Sequence, residues 1–172
     1  MIVKLHISVS LVISYLIYFL IMNFDRFSSL LLSLVTAKLS TLPDFDYKIF
    51  SWSNKQILML KNTKLYLILF PYYFLLIFLN RIFKHRGITH SIYPILFFLI
   101  LKFLFSNIFL ILAFSFALHV LEDMFTVSGV QIFYPLNNFK LKIPLLNNKN
   151  REKQNILSAA FLVLFFIVFL LL

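Results

Sequence analysis

The chain has no cysteine, two glycines and only six acidic residues among its 172 positions. Without cysteine there is no disulfide framework and no thiolate ligand, so any metal site must be built from histidine and carboxylate. With so little glycine and no low-complexity linker, no domain boundary is marked, and 1–172 reads as a single integral membrane domain. A small-x-small cleavage site is also missing before Asn23-Phe24-Asp25. The apolar stretch ending at Met22 therefore reads as a retained helix, not a removed signal peptide. What is abundant is apolar surface: 62% of residues are hydrophobic and 19% aromatic, with mean hydropathy +0.95. A soluble domain has about 45–50% apolar residues, so an integral membrane protein is expected.

Sixteen Lys and Arg give a net charge of +10. In a membrane protein such an excess marks the cytoplasmic face and anionic headgroups. No recognition motif accompanies it, so nucleic acid is not an expected partner, membrane lipids are, and no protein partner is predicted.

The expected fold is all-α: a polytopic transmembrane helical bundle with about five spanning helices and one interfacial or re-entrant segment. Leu5–Met22 is an apolar run of about 18 residues, roughly 27 Å as a helix. Phe27–Leu42 returns and stops at Pro43. Ser91 to Glu122 would make roughly 48 Å of helix, too long for one crossing. Lys102, Ser106 and Asn107 divide it into a hairpin with arms Ser91–Phe105 and Asn107–Asp123. A polar, basic loop runs from Thr126 to Asn155, and Ile156–Leu172 forms the last span. Leu65–Phe83 could also cross. Pro71 is expected to interrupt its helix, and Tyr66, Tyr72 and Tyr73 suit a headgroup-level position. With this segment out of the bilayer, nearly all the basic residues, from Lys4 to Lys153, fall on one face, leaving Arg26 and Lys102 elsewhere. That lopsided split favours the in-plane reading and a cell (plasma or inner) membrane protein with its site on the cytoplasmic side.

All four histidines lie in short patches at the ends of apolar runs: His6, His85 and His90 of His85-Arg86-Gly87-Ile88-Thr89-His90-Ser91, and His119 with Asp123. A fourth patch, Leu42-Pro43-Asp44-Phe45-Asp46, brings two carboxylates. Such residues are costly at membrane depth unless paired, and a divalent cation is an effective partner. His119 and Asp123, at i and i+4, share one helix face and can either ligate one ion or bond to each other. Glu122 points roughly 100° away and is expected to pair with a nearby Lys or Arg. Asp44 and Asp46 can end a helix at a turn or chelate one or two hard cations. Gly87 permits a tight turn, Thr89 or Ser91 can cap the next helix, and Arg86 can clamp an anion at its start. In the in-plane topology His6, Asp44, Asp46, His85, His90, His119 and Asp123 converge, more than one tetrahedral zinc needs. One or two ions are expected, zinc before other divalent metals.

These motifs, with Thr126 and Gly129 after Asp123 and a later Pro135, resemble the YdjM-like membrane-bound metal-dependent hydrolases over roughly His6 to Pro135. The resemblance implies a polytopic membrane protein with those seven residues at metal or catalytic positions. The chain departs from the family pattern in the first helix, where Ile7-Ser8-Val9-Ser10 stands in place of a glycine-rich stretch. The expected function is hydrolysis of a phosphoester in an anionic lipid or lipid-linked phosphate. Arg86 would hold the anion and Asp44 or Asp46 take a proton, with Gly87, Thr89, Ser91 and Thr126 in support. Metal transport or storage, and a scaffold locked by a polar cluster, are the alternatives. Transporters place such groups at the bilayer midplane, not at helix ends.

Overall fold

Seven α-helices and several single turns make up the described residues, 2–83, 87–137, 139–147 and 149–172, of a computed structural model. Among them β-structure is limited to two isolated bridges. Helix α1 (Val3–Leu16) continues through a π-helical turn at Ile17–Ile21. Together they form a 19-residue apolar helix, about 28 Å long. Asn23, at a left-handed φ of 53°, turns the chain. Asp25 then caps α2 (Arg26–Leu39), accepting from the Ser28 N–H at 2.9 Å.

The inward faces of these two helices carry small polar residues. Ser8, Ser10 and Ser14 on α1, and Ser29, Ser33 and Thr36 on α2, are all buried. Several of their hydroxyls return to carbonyls of their own helix, as Ser14 does to Ser10 and Ser33 to Leu30. Small side chains let helix backbones approach closely. Serine thus fills the role that glycine would otherwise have in the first helix.

Helix α7 (Arg151–Leu171) runs parallel to α1. Near their starts Ser158 Oγ donates to the Lys4 carbonyl at 3.1 Å, and further along Tyr15 meets the rings of Phe165 and Phe169. Leu11, Val12, Tyr15, Ala37 and Phe165 form the apolar core of α1, α2 and α7. The expected hairpin is present as α5 (Ile92–Leu104) and α6 (Ile108–Met124). Helix α6 runs antiparallel to α1, with Phe114 against Tyr18 at one end and Glu122 against His6 at the other. Val3–Ile21 and Arg151–Leu171 are long and apolar enough to cross a membrane, and Phe70–Ile82 and Ile92–Leu104 are apolar but shorter.

Three local differences from the sequence expectation have clear causes. Helix α2 stops at Leu39, ahead of Leu42, because Ser40 and Thr41 fold their hydroxyls back onto the Ala37 and Lys38 carbonyls, each at 2.9 Å. Pro43 then opens a single 3-10 turn, Leu42–Asp44. Pro71 lies in the first turn of α4 (Phe70–Ile82), where a missing N–H breaks no helical bond, so it starts the helix instead of interrupting it. Helix α7 begins at Arg151, ahead of Ile156, because the Asn150 side chain accepts from the Lys153 N–H at 3.0 Å.

Helix α3 (Phe45–Asn62) was not expected at all. It carries Lys48, Lys55 and Lys61, so no membrane-length apolar run announces it. It pairs with α4 through Asn80, whose amide donates to Asn54 Oδ1 at 2.8 Å and Ser53 Oγ at 3.1 Å. The α3–α4 hairpin leaves the bundle after Asp46 and returns to the same end before His90. The loop after α6 folds back at Gly129, where φ is +62° and a Cβ would lie 2.6 Å from the Leu141 carbonyl oxygen. The Ile132 carbonyl accepts from the Ile92 N–H at 2.9 Å, laying this loop across the start of α5.

Candidate metal centre

The starts of α1, α5 and α7 and the ends of α2 and α6 meet at one end of the bundle, and the histidines and carboxylates meet there too. His119 and Asp123 project from the last turns of α6, and both are buried. The single turn Ile88–His90 brings the buried His90 ring opposite them. Asp44, at the end of the Pro43 turn, closes a third side and stays partly open, at 26% exposure.

Four ligand atoms define a small polyhedron. His90 Nε2 lies 3.0 Å from His119 Nε2. It is 3.6 Å from Asp44 Oδ1 and 3.7 Å from Asp123 Oδ2. His119 Nε2 lies 3.7 Å from Asp44 Oδ1 and 4.0 Å from Asp123 Oδ2. Ligands of one tetrahedral zinc lie about 3.4 Å apart, a value within the range of these five separations. Two overlapping ligand groups result, His90–His119–Asp123 and His6–Asp44–His119, each with its atoms within 4.8 Å of one another.

The outer nitrogens of His90 and His6 are held as metal-ligating imidazoles generally require, whereas His119 Nδ1 is buried without a hydrogen-bond partner. His90 Nδ1 faces Asp46 Oδ2 at 3.1 Å, and that oxygen also accepts from Thr89 Oγ1 at 2.9 Å. Asp46 is thus on the far side of the His90 ring from Asp44, His119 and Asp123. His6 Nδ1 bonds to Glu122 Oε2 at 2.5 Å, and Ser10 Oγ donates to Glu122 Oε1 at 2.6 Å. Where Glu122 accepts from His6 Nδ1, the other ring nitrogen, Nε2, presents a lone pair. Nε2 is buried without a hydrogen-bond partner and lies 3.6 Å from Asp123 Oδ1. The His6 ring stacks on His119 with centroids 4.3 Å apart.

Electrostatics outside the helical spans agree with this geometry. Burial alone would lower the pKa of His90. Hydrogen bonds from the ring to Asp44 and Asp46, with the charges of Asp46 and Asp123, outweigh it and raise the value to about 9. Burial pushes Asp44 upward, but its bond from His90 and the neighbouring histidines hold it down at about 2. A proton on His90 thus holds together groups that a divalent ion would bind. Three aspartates (Asp44, Asp46 and Asp123) face the one His90 imidazole, an excess of negative charge, even with that ring protonated, that a cation would balance. The donor set is nitrogen and oxygen only, with a buried unpartnered nitrogen aimed into it, and it fits a divalent metal.

Of the other expected residues, Ser91 caps α5 by accepting from the Tyr93 N–H at 3.3 Å. Gly87 is buried just before the His90 turn. Thr126 is buried and donates to the Asp123 backbone carbonyl at 2.7 Å, closing the end of α6 behind the ligands. His85 and Arg86 lie outside the described residues. Glu122 is the residue that the sequence reading misplaced. It is 2% exposed and pairs with His6 and Ser10. The signal was available: α6 contains no Lys or Arg, so a basic partner within its own helix was excluded.

Fold and site together define a helical membrane protein with a buried histidine–carboxylate centre at one end of its bundle. The chain belongs to the YdjM inner membrane protein family, whose model matches residues 1–172, beyond the motif-bearing part. No curated protein and no solved structure matches it.

Proposed function

We propose that this chain is a membrane-bound, metal-dependent hydrolase acting on a phosphoester in a lipid or lipid-linked substrate at the cytoplasmic face. The observation that carries this reading is the set of three ligand atoms, on His119, Asp44 and Asp123, that lie 3.0, 3.6 and 3.7 Å from His90 Nε2. His90, His119, Asp44 and Asp123 would hold the ion, with zinc favoured by the nitrogen share of the set. His6 stands ready beside them, or joins Asp44 and His119 around a second ion. A bound divalent cation supplies Lewis acidity towards water and a phosphoryl oxygen.

The chain's own residues do the rest. Asp46, held by Thr89, fixes the His90 ring through Nδ1, so we assign it to orienting that ligand. Asp44 Oδ1, within 3.7 Å of both His90 Nε2 and His119 Nε2, is assigned as a ligand. His6, oriented by Glu122, presents a bare Nε2 to the cluster and is the base we assign. Asp44 is the open side of the centre, so substrate enters there. A wholly closed site would favour the scaffold reading.

The topology we propose has α1, α2, α5, α6 and α7 crossing the bilayer. The α3–α4 hairpin lies in the interface, and the lysines of α3 suit that position. The test is phosphate release from dioleoyl phosphatidate by the full chain in mild detergent. Activity should vanish with a chelator, return with zinc, and be absent in His119→Ala. Release that survives chelation overturns the reading.

A further inference from the structure

A groove of about 640 Å³ runs up to Asp44, the open side of the centre. Lys38 from the last turn of α2, Lys48 from α3 and Arg151 from the first turn of α7 line it, with Val3, Phe45 and Tyr47. Three cations thus reach one groove from three separate helices. Among the described residues no ion pair joins any of them to a carboxylate. The Lys48 ammonium rests over the Phe45 ring, 4.4 Å from its centroid, which holds the charge beside the groove. The Asp44 carboxylate alone would repel an anion, but three cations outnumber it. The apolar part is open: Val3 is 50%, Phe45 48% and Tyr47 57% exposed.

We infer that this groove binds the phosphate headgroup of a membrane lipid. Lys38, Lys48 and Arg151 hold the phosphate, and Val3, Phe45 and Tyr47 receive the adjoining acyl chains. Two lysines give diffuse positive charge, while the Arg151 guanidinium offers two parallel N–H donors to two phosphate oxygens. The inference rests on the hydrolase reading for its purpose, since the groove would deliver a phosphoester to Asp44. It also gives α7 a part in substrate binding, although that helix carries none of the histidine or aspartate motifs. The pairing of cations with exposed apolar side chains favours a lipid over a free phosphate ester, whose polar body would gain nothing from Val3 or Phe45.

The test measures binding of dioleoyl phosphatidate to the full chain in uncharged detergent, with EDTA present so that the result is independent of any metal. Dioleoylglycerol and glycerol 3-phosphate are the comparison probes. The double variant Lys38→Gln/Arg151→Gln should bind phosphatidate about tenfold or more weakly. Lys140→Gln/Lys149→Gln, which removes the same charge outside the groove, should change binding less than about twofold. Dioleoylglycerol and glycerol 3-phosphate should each bind far more weakly than phosphatidate. Equal losses from both double variants would mean that net charge alone attracts the lipid, and would overturn the site. Glycerol 3-phosphate binding as tightly as phosphatidate would overturn the lipid assignment in favour of a soluble ester. Failure of the metal reading would leave these binding results intact, so the two failures are distinguishable.

Discussion

His6 and Glu122, 116 positions apart in the chain, meet in a buried contact of 2.5 Å between Nδ1 and Oε2. This contact ties the start of α1 to the end of α6 and places His6 Nε2 3.6 Å from Asp123 Oδ1. Glu122→Gln keeps the shape but loses the carboxylate that fixes the tautomer. Its metal content should stay near that of the wild type while phosphate release falls about 10- to 100-fold. Glu122→Ala, which leaves His6 and Ser10 unpartnered in the interior, should lower stability by about 3 kcal/mol, read by thermal unfolding in detergent. Loss of metal from Glu122→Gln equal to that from His119→Ala would show that His6 is a ligand instead of a base.

Asp44 and Asp46 lie on opposite sides of the His90 ring, and their variants should separate. Asp44→Asn removes a ligand at the open side. Asp46→Asn leaves every ligand atom in place but loses the carboxylate that holds His90 Nδ1, so zinc affinity should fall about 10- to 100-fold without loss of the site. Calorimetric titration with zinc checks both. Equal and complete loss in the two variants would make Asp46 a ligand.

The pH dependence of metal uptake follows from His90. In the metal-free chain the ring holds its second proton up to about pH 9, and that proton must leave before Nε2 can ligate. Asp44, held at about 2, is ionised throughout and contributes no slope. Zinc affinity should therefore rise by about tenfold per pH unit from pH 7 towards 9, then level off, with about one proton released from His90 per ion. A flat profile from 7 to 9 would mean that His90 is already neutral.

The absence of cysteine allows the topology to be read from single introduced thiols. Lys48→Cys and Lys149→Cys should both label from the cytoplasmic side with an impermeant maleimide. Phe24→Cys and Asn107→Cys, at the opposite turns of the bundle, should label from the other side. Labelling of Lys48→Cys and Lys149→Cys from opposite sides would end the arrangement in which all the helix ends at the centre share one face.

Much of this was legible in the sequence because a greasy chain leaves few polar residues to interpret. The break at Ser106–Asn107, the pairing of α1 with α2 and the convergence of His6, Asp44, His90, His119 and Asp123 all follow from where apolar runs stop. Helix α3 was not legible, since its lysines fit an interfacial helix and a polar loop equally well. Glu122 was misread because, at i+3 from His119, it borders the same face, and helical periodicity does not say that α1 with His6 packs there. The separate station of Asp46 was equally hidden. Two carboxylates spaced by one residue look equivalent until the Pro43 turn sends one to each ring nitrogen of His90.

The most direct test of the account is the metal content of the purified full chain in mild detergent, measured beside His119→Ala/Asp123→Ala. One or two zinc ions per wild-type chain and none in the double variant is the predicted result. No bound ion in the wild type after zinc is supplied, with both proteins equally well folded, would contradict the metal centre and leave the cluster as a lock between helices.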